Sequence, residues 1–296
     1  MHIPVLLQEV IENLSLKEGM TILDCTLGGG GHSREICSRI GRKGVLVGLD
    51  QDEASLAKVR EGMKKCGCVF TAVNENFRNL DAVLEQMHIQ TVSGILFDLG
   101  LREDQLSASG RGFSFRRDEP LIMTFSSKLE SDTLTAYEIV NAWSENEIGR
   151  ILKEFGEERF ARRIAKGIVT HRKIGPIKTT KDLVHIIEKS TPIFYQRGRG
   201  HAARKTFQAL RIAVNDELGA LKEGLGKAAA MLTPGGRIAV ISFHSLEDRI
   251  VKNFFRDKAK EGKAKLLTKK PIIPTDEEVK DNPRSRSAKL RVIEKI

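Results

Sequence analysis

The chain has 296 residues, of which 40% are hydrophobic and 30% charged, and its formal net charge is +10. This length allows one large domain or two ordinary ones, and no apolar stretch approaches the ~18 residues that a membrane span requires. The amino terminus lacks the features of a secretory signal peptide, and the four cysteines contain no C-x-x-C pair, so we expect a cytoplasmic protein with reduced thiols, no zinc site and no disulfide framework.

The first hundred residues alternate between predicted helices and strands. Helices are predicted at 5–14, 32–40, 52–64 and 78–88, and strands at 20–25, 44–49, 68–73 and 94–98. Repeated β-α units of this length predict a parallel, doubly wound α/β sheet. Such a sheet binds its ligand at the carboxyl ends of its strands.

A glycine-rich turn follows the first strand. Its glycines, Gly28–Gly31, fit neither the dinucleotide fingerprint nor the phosphate-binding loop. They do fit the spacing acidic-x-small-x-Gly-x-Gly, which is typical of enzymes that use S-adenosylmethionine (SAM) and is filled by Asp24, Thr26, Gly28 and Gly30. The alternative is a flexible loop without a ligand. Four consecutive glycines favour a close approach of the backbone to a ligand instead.

Two further carboxylates end predicted strands. Asp50 closes the second strand and can accept hydrogen bonds from two ribose hydroxyls, and Asp98 closes the fourth. The rule for open α/β sheets places Asp98 beside the cofactor crevice.

The alternation then stops. Between about 135 and 200 only helical patterns appear, at 144–155, 157–171 and 179–189, and Ser144 with Glu147 forms a capping box. A long helix is predicted at 204–232, followed by strands at 237–243 and 288–295. We therefore predict a discontinuous α/β domain, 1–109 and 205–296, interrupted by an all-helical insert at 110–204.

The positive charge lies in two segments outside the glycine-rich region. Residues 150–211 hold 16 Lys or Arg against 5 Asp or Glu, and residues 258–296 hold 12 against 6. The rest of the chain must then carry 10 − 11 − 6 = −7. This distribution indicates a surface that binds a polyanion, attached to a catalytic fold. The alternative is a set of solvated helix faces.

Four long motifs carry a family resemblance. They are Arg111–Phe115, Thr206–Leu218, Ser242–Lys252 and Asn282–Arg291. With Phe155–Ala165 they make the chain resemble, over nearly its whole length, the RsmH (MraW) family of methyltransferases, which modify N4 of a decoding-region cytidine in 16S ribosomal RNA. The pattern departs from the family at 101–103 and at 122–125.

The resemblance implies a class I SAM-dependent methyltransferase fold, Rossmann-like, with SAM as the methyl donor, and 16S ribosomal RNA in the small ribosomal subunit as partner. No cluster of ligand residues in the sequence suggests a metal, and the lack of a long apolar stretch leads us to expect no membrane partner. The cofactor contacts that the resemblance implies are Gly30, Gly31, His32, Asp50, Phe77, Asp98 and Gln105. Asp98 is also the catalytic candidate, because a carboxylate that accepts one proton of the cytosine amine would orient it.

Alternatives remain for several of these residues. Phe77 could be a core residue, His32 a helix cap, Gln105 a loop residue, and Asp24 a support beneath the turn. Phe113, Phe115 and Phe243 are hypotheses for a platform that stacks on the base. His244 could act as a general base, or shape the pocket floor or bind RNA, and Ser245 with Asp248 fits a helix N-cap.

Two other functions fit the same sequence. One is a ribosome-assembly factor that binds SAM without turnover, and the other is an amino-methyltransferase acting on another nucleic acid. DNA amino-methyltransferases have a polar-Pro-Pro-aromatic motif after the fourth strand, where this chain has Asp98-Leu99-Gly100-Leu101.

Overall fold

The computed structural model describes residues 4–101, 106, 109–126, 129–130, 132–198 and 200–296. The chain divides into two compact units, the first made of 1–100 and 218–296 and the second of 101–217. No helix among the described residues has the length and apolarity needed to cross a bilayer.

The first unit is a seven-stranded sheet in the order β3-β2-β1-β4-β5-β7-β6. β1 to β5 pair in parallel and β7 runs antiparallel to both neighbours. The strands are β1 Thr21–Asp24, β2 Val45–Asp50, β3 Val69–Asn74, β4 Val92–Asp98, β5 Leu232–Ser242, β6 Ala264–Leu266 and β7 Lys289–Lys295. This order confirms the predicted doubly wound, Rossmann-like sheet.

Helices cover both faces of the sheet, because alternate strand residues point to opposite sides. Ile22 and Leu96 enter one buried cluster, and Leu23 and Phe97 enter the other. The helices of this unit are α1 Leu7–Leu14, α2 Gly31–Ile40, α3 Glu53–Met63, α4 Leu80–Gln86, α11 Glu217–Met231, α12 Ser245–Lys260 and α13 Asp276–Asp281. Short 3-10 turns occupy Phe77–Asn79 and Pro283–Ser287.

The second unit is helical, with its own buried core. Its helices are α5 Ala136–Ala142, α6 Glu145–Glu154, α7 Ala161–His171, α8 Thr180–Ser190, α9 Ile193–Gln196 and α10 Arg204–Asn215. The predicted Ser144–Glu147 capping box is present at the start of α6. Apolar faces of these helices form one cluster that includes Ile148, Ile164 and Leu210.

The prediction of one helix over 204–232 is wrong. Asp216 adopts a left-handed conformation with φ 45° and ends α10, after which α11 begins. Asp is among the few residues that tolerate this conformation. Arg211 then forms two hydrogen bonds with Glu217, of 2.7 and 2.8 Å, across the break. The apolar stripe continues in register through this point, so periodicity alone could not detect it.

The extents of two predicted segments also differ from the structure. The helical unit spans 101–217 rather than the predicted 110–204. Strand β5 begins at Leu232, five residues before the predicted start, and a register shift between Val92 and Gly94 accommodates its glycine turn.

The expectation of four reduced cysteines is wrong. Cys37 and Cys68 form a disulfide, while Cys25 and Cys66 are free thiols. Cys37 lies in the last turn of α2 and Cys68 immediately precedes β3. The parallel pairing of β2 with β3 brings these positions together, and a separation of 31 residues carries no local signal of that contact.

We expect thiol titration of the denatured, unreduced protein to count two thiols, because only Cys25 and Cys66 are free in the structure. The same titration after reduction should count four and serves as the control. Four thiols before reduction would contradict the Cys37–Cys68 bond.

Candidate active site

The turn after β1 is fixed from beneath by Asp24. One carboxylate oxygen accepts a hydrogen bond from the Thr26 amide at 3.1 Å, and the other accepts one from the Ser33 hydroxyl at 2.6 Å. Asp24 and Ser33 are both buried. Asp24 therefore joins the strand end to the first turn of α2, the supporting role that the sequence left open for it.

The same turn is bound to the ends of the two neighbouring strands. The Thr26 hydroxyl accepts a hydrogen bond of 2.6 Å from the Asp98 amide at the end of β4. The Gly28 amide donates to Asp50 Oδ2 at 2.9 Å at the end of β2, while Asp50 Oδ1 accepts from the Asp52 amide. An ionised carboxylate offers about four acceptor positions. Holding this turn is therefore compatible with binding a ribose.

The glycines of the turn differ in the space around them. Gly28 and Gly30 have φ of 54° and 72°, a region that glycine enters without strain. A side chain on Gly30 would lie 2.8 Å from Val59, and one on Gly31 would lie 2.3 Å from Pro4. A side chain on Gly29 would meet no atom within 4 Å. Gly29 thus borders open space where a ligand can approach the backbone.

Four carboxyl groups interact around this turn. Burial and the neighbouring charges of Asp24 and Glu247 raise the pKa of Asp98 to about 8. Burial and the charge of Asp50, partly offset by hydrogen bonds from Ser33 and Thr26, raise the pKa of Asp24 to about 6. Because these groups ionise reluctantly beside one another, a cationic ligand that stabilises their ionised forms is favoured here.

Asp98 ends β4 at the carboxyl edge of the sheet. Its side chain is 22% exposed, yet its Oδ1 atom is buried and has no hydrogen-bond partner among the described residues. A buried carboxyl oxygen without a partner is costly. Since Oδ1 is buried, a ligand amine would approach the exposed part of this side chain.

His32 links Asp98 to the chain's amino-terminal segment. Its Nε2 lies 3.0 Å from the Val5 carbonyl and its Nδ1 lies 3.5 Å from Asp98 Oδ2. Because a carbonyl only accepts, Nε2 must carry a hydrogen, and Nδ1 faces the carboxyl group. His32 is therefore placed to orient Asp98, in addition to its predicted cofactor contact.

The remaining predicted contacts are placed differently. Phe77 lies in the turn after β3, with its ring edge-on to Phe97 at a centroid distance of 5.4 Å, and it packs against Gly224 of α11. These contacts give Phe77 a packing role whether or not it also borders the adenine. Gln105 lies outside the described residues.

The three aromatic candidates for base stacking have different surroundings. Phe113 is buried in the helical core and stacks on Phe125, so it is not a platform. Phe115 stacks on His201 at 4.5 Å. Phe243 lies against Gly100, where an added side chain would approach its ring to 3.2 Å. Phe243 is thus the aromatic residue beside the β4 end.

The predicted N-cap of Ser245 with Asp248 is wrong. His244 is the N-cap of α12, and its ring accepts from the Glu247 amide, while Glu247 accepts from the backbone of Phe243 and His244. Asp248 instead binds Arg291 and Lys289 of β7. His244 is therefore a capping residue, which supports its structural role over that of a general base.

Sequence reasoning missed Ser33 and Glu247. Ser33 lies one turn into α2, where its bond to Asp24 depends on the folded turn. Glu247 stands three residues after its cap, the spacing of a capping box, and this spacing was the available signal.

The chain is similar to known proteins over its whole length. A model of the MraW methylase family matches residues 1–296. Proteins named ribosomal RNA small subunit methyltransferase H from Paenibacillus sp. (strain JDR-2) and Symbiobacterium thermophilum are 46% and 47% identical, covering 100% of this chain and 99% and 96% of theirs. An rRNA methylase structure from Streptococcus thermophilus has a TM-score of 0.47 and 10% identity, with 100% of this chain and 99% of that one covered.

We expect Asp98→Asn to stabilise the protein increasingly as pH rises. With a pKa of about 8 against an ordinary value of 3.8, folded Asp98 holds a proton that the unfolded chain releases between these values. The free energy of unfolding of the wild type therefore falls as pH rises between these two pKa values. Asn does not titrate, so the variant does not show this fall. Thermal unfolding without SAM should show a melting temperature at pH 8 at least about 2–4 °C above wild type, a shift of about 1 kcal/mol, and little difference at pH 4.

The control is Asp257→Asn, at an exposed position on α12. Its melting temperature should follow wild type at every pH. If Asp98→Asn does the same, the pKa of Asp98 is not raised by burial.

Proposed function

The chain belongs to the MraW methylase family, and from that premise we propose that it transfers a methyl group from SAM to the exocyclic N4 of a cytidine in the decoding region of 16S ribosomal RNA. The observation that carries the proposal is the cluster of Asp24, Asp50, Asp98 and Glu247 around one glycine turn. Its negative charge suits a cationic sulfonium cofactor. The names of the relatives support ribosomal RNA as the substrate, and we place the reaction on the small subunit in the cytoplasm.

The turn and Asp50 form the proposed cofactor site. The open side of Gly29 admits the ligand against the backbone, and Asp50 receives the ribose hydroxyls at the end of β2. Gly30, Gly31 and His32 fix the start of α2 beside it. When bound, SAM supplies an electrophilic methyl group on a positively charged sulfur. The site excludes the pyrophosphate cofactors, because the turn lacks their glycine spacing.

Asp98 is the proposed positioning group for the acceptor. The amine nitrogen of cytosine is a weak nucleophile, since its lone pair is delocalised into the ring. An ionised Asp98 accepts one N4 proton in a hydrogen bond, which turns the lone pair toward the methyl carbon. Once N4 had taken the methyl group and the neutral thioether had left, N4 would carry one proton in excess, and the ionised Asp98 that already accepts a hydrogen bond from it would take this proton and release it to solvent. Alignment supplies most of the rate in such an in-line displacement.

Cofactor charge and Asp98 are coupled in this mechanism. Without a ligand, Asp98 is largely protonated at neutral pH, because its pKa is about 8. A cation beside the cluster favours the ionised form and lowers this pKa. Binding of the methyl donor would thereby prepare the carboxylate that the acceptor needs.

We expect Asp50→Asn to weaken SAM binding by at least tenfold, because an amide replaces one oxygen acceptor and removes the charge. Isothermal titration calorimetry with SAM measures this, with Asp257→Asn as the matched control at an exposed site. Wild-type affinity in Asp50→Asn would contradict the ribose-binding role.

Small subunits from cells that lack this gene should contain unmodified cytidine at the target position. Mass spectrometry of 16S ribosomal RNA nucleosides should show N4-methylcytidine appearing when these subunits are incubated with the protein and SAM. SAM binding without methyl transfer would favour an assembly factor, and methylation of DNA in preference to subunits would favour another nucleic acid.

A further inference from the structure

A groove lined by basic side chains runs between α7 and α8 in the helical unit. Its volume is about 490 Å³, and its lining residues are Arg163, Lys166, Gly167, Thr170, His171, Ile174, Ile186, Lys189 and Ser190. None of them is acidic. Along α7 these positions repeat every three or four residues, so they occupy one helix face. From Arg163 to His171 the face extends for about 12 Å at 1.5 Å per residue.

Among the described residues, the cations of this groove form no ion pair. Two ion pairs of the helical unit join Lys181 to Asp118 and Arg211 to Glu217, and neither includes a groove residue. Arg163, Lys166 and Lys189 are exposed. The Arg163 guanidinium lies 5.9 Å from the centre of the Phe160 ring, a contact that leaves its N–H edge available to an oxyanion.

The carboxyl-terminal basic segment shows the contrast. Of its 12 Lys and Arg residues, five have partners within the sheet unit. Lys258 and Lys263 pair with Glu261, Lys289 and Arg291 pair with Asp248, and Lys295 donates to backbone carbonyls. The groove cations Arg163, Lys166 and Lys189 have no such ion pair among the described residues.

The shape of the groove depends on Gly167. A side chain there would lie 2.1 Å from the Ser190 hydroxyl and 3.4 Å from Ile186. Glycine lets α7 and α8 approach at this point. Ile174 adds an apolar side chain that is 86% exposed at one end. Ribose and base offer apolar faces to such a side chain, and phosphates match the cations.

We propose that the α7–α8 groove binds the phosphate backbone of the RNA substrate, a step that rests on the proposed function. Its ligand is a short run of ribonucleotides, held by Arg163, Lys166 and Lys189 through phosphate oxygens. Such contacts position the RNA and carry no base specificity. They are additional to whatever reads the target cytidine.

The test compares Arg163→Gln/Lys166→Gln with a matched pair, Arg150→Gln/Lys153→Gln. The control pair has the same residue types at the same i, i+3 spacing, and both positions are exposed on α6. Binding is measured with small ribosomal subunits that lack the modification, between 50 and 200 mM KCl. SAM affinity, measured by calorimetry, should be equal in all three proteins.

We expect the groove pair to raise the dissociation constant for subunits at least tenfold, and the control pair to change it less than twofold. The slope of log K against log salt should fall in magnitude by about 1.4, since each single-stranded phosphate contact contributes about 0.7. The KM for subunits should rise while kcat stays the same, because the lost binding is equal in ground and transition states.

The proposal that this groove binds RNA would be overturned if the two variants bound subunits equally well, or if the wild type did not bind them. Methyl transfer is read separately. If the wild type shows groove-dependent binding but transfers no methyl group, the groove stands and the proposed function fails. If the protein methylates the subunits but the groove variant binds them as well as the wild type does, the proposed function stands and the groove proposal fails.

Discussion

The site depends on one constraint, which is that the turn after β1 is bound to three strand ends at once. Asp24 holds it at its own strand, the Asp98 amide donates to Thr26 at β4, and Asp50 accepts from Gly28 at β2. These bonds require parallel strands in the order β2-β1-β4. They also bring carboxyl groups close together at this edge of the sheet. Because the ionised groups repel one another, binding of a cation here is favoured.

That preference for a cation connects the fold to its chemistry. A carboxyl group whose pKa is raised to about 8 is largely protonated at neutral pH, and a cation beside it favours the ionised form. In the proposed mechanism, Asp98 would thus become an acceptor for an amine proton when the methyl donor is bound. The proposed RNA surface rests on different charges, since the cations of the α7–α8 groove have no ion pair among the described residues.

Much of this fold could be predicted from local pattern, because strands and helices of the first hundred residues begin and end within about three residues of their predicted positions. Sequence periodicity gave wrong predictions where the structure depends on conformations or contacts that the hydrophobic pattern does not encode. The Asp216 break lies within an unbroken apolar stripe, and the Cys37–Cys68 bond depends on the pairing of β2 with β3. The glycine turn after β1 and the position of Asp50 at the end of β2 follow from local pattern, whereas the Asp98–His32 and Asp24–Ser33 contacts form only in the folded sheet.

The most direct test of the carboxylate cluster is the number of protons released when SAM binds. Calorimetric titrations at pH 7 in buffers of different ionisation enthalpy measure this number. A raised pKa that falls on binding a cation predicts release of on the order of half to one proton by the wild type, and almost none by Asp98→Asn. Equal release by both proteins, or proton uptake by the wild type, would contradict the account.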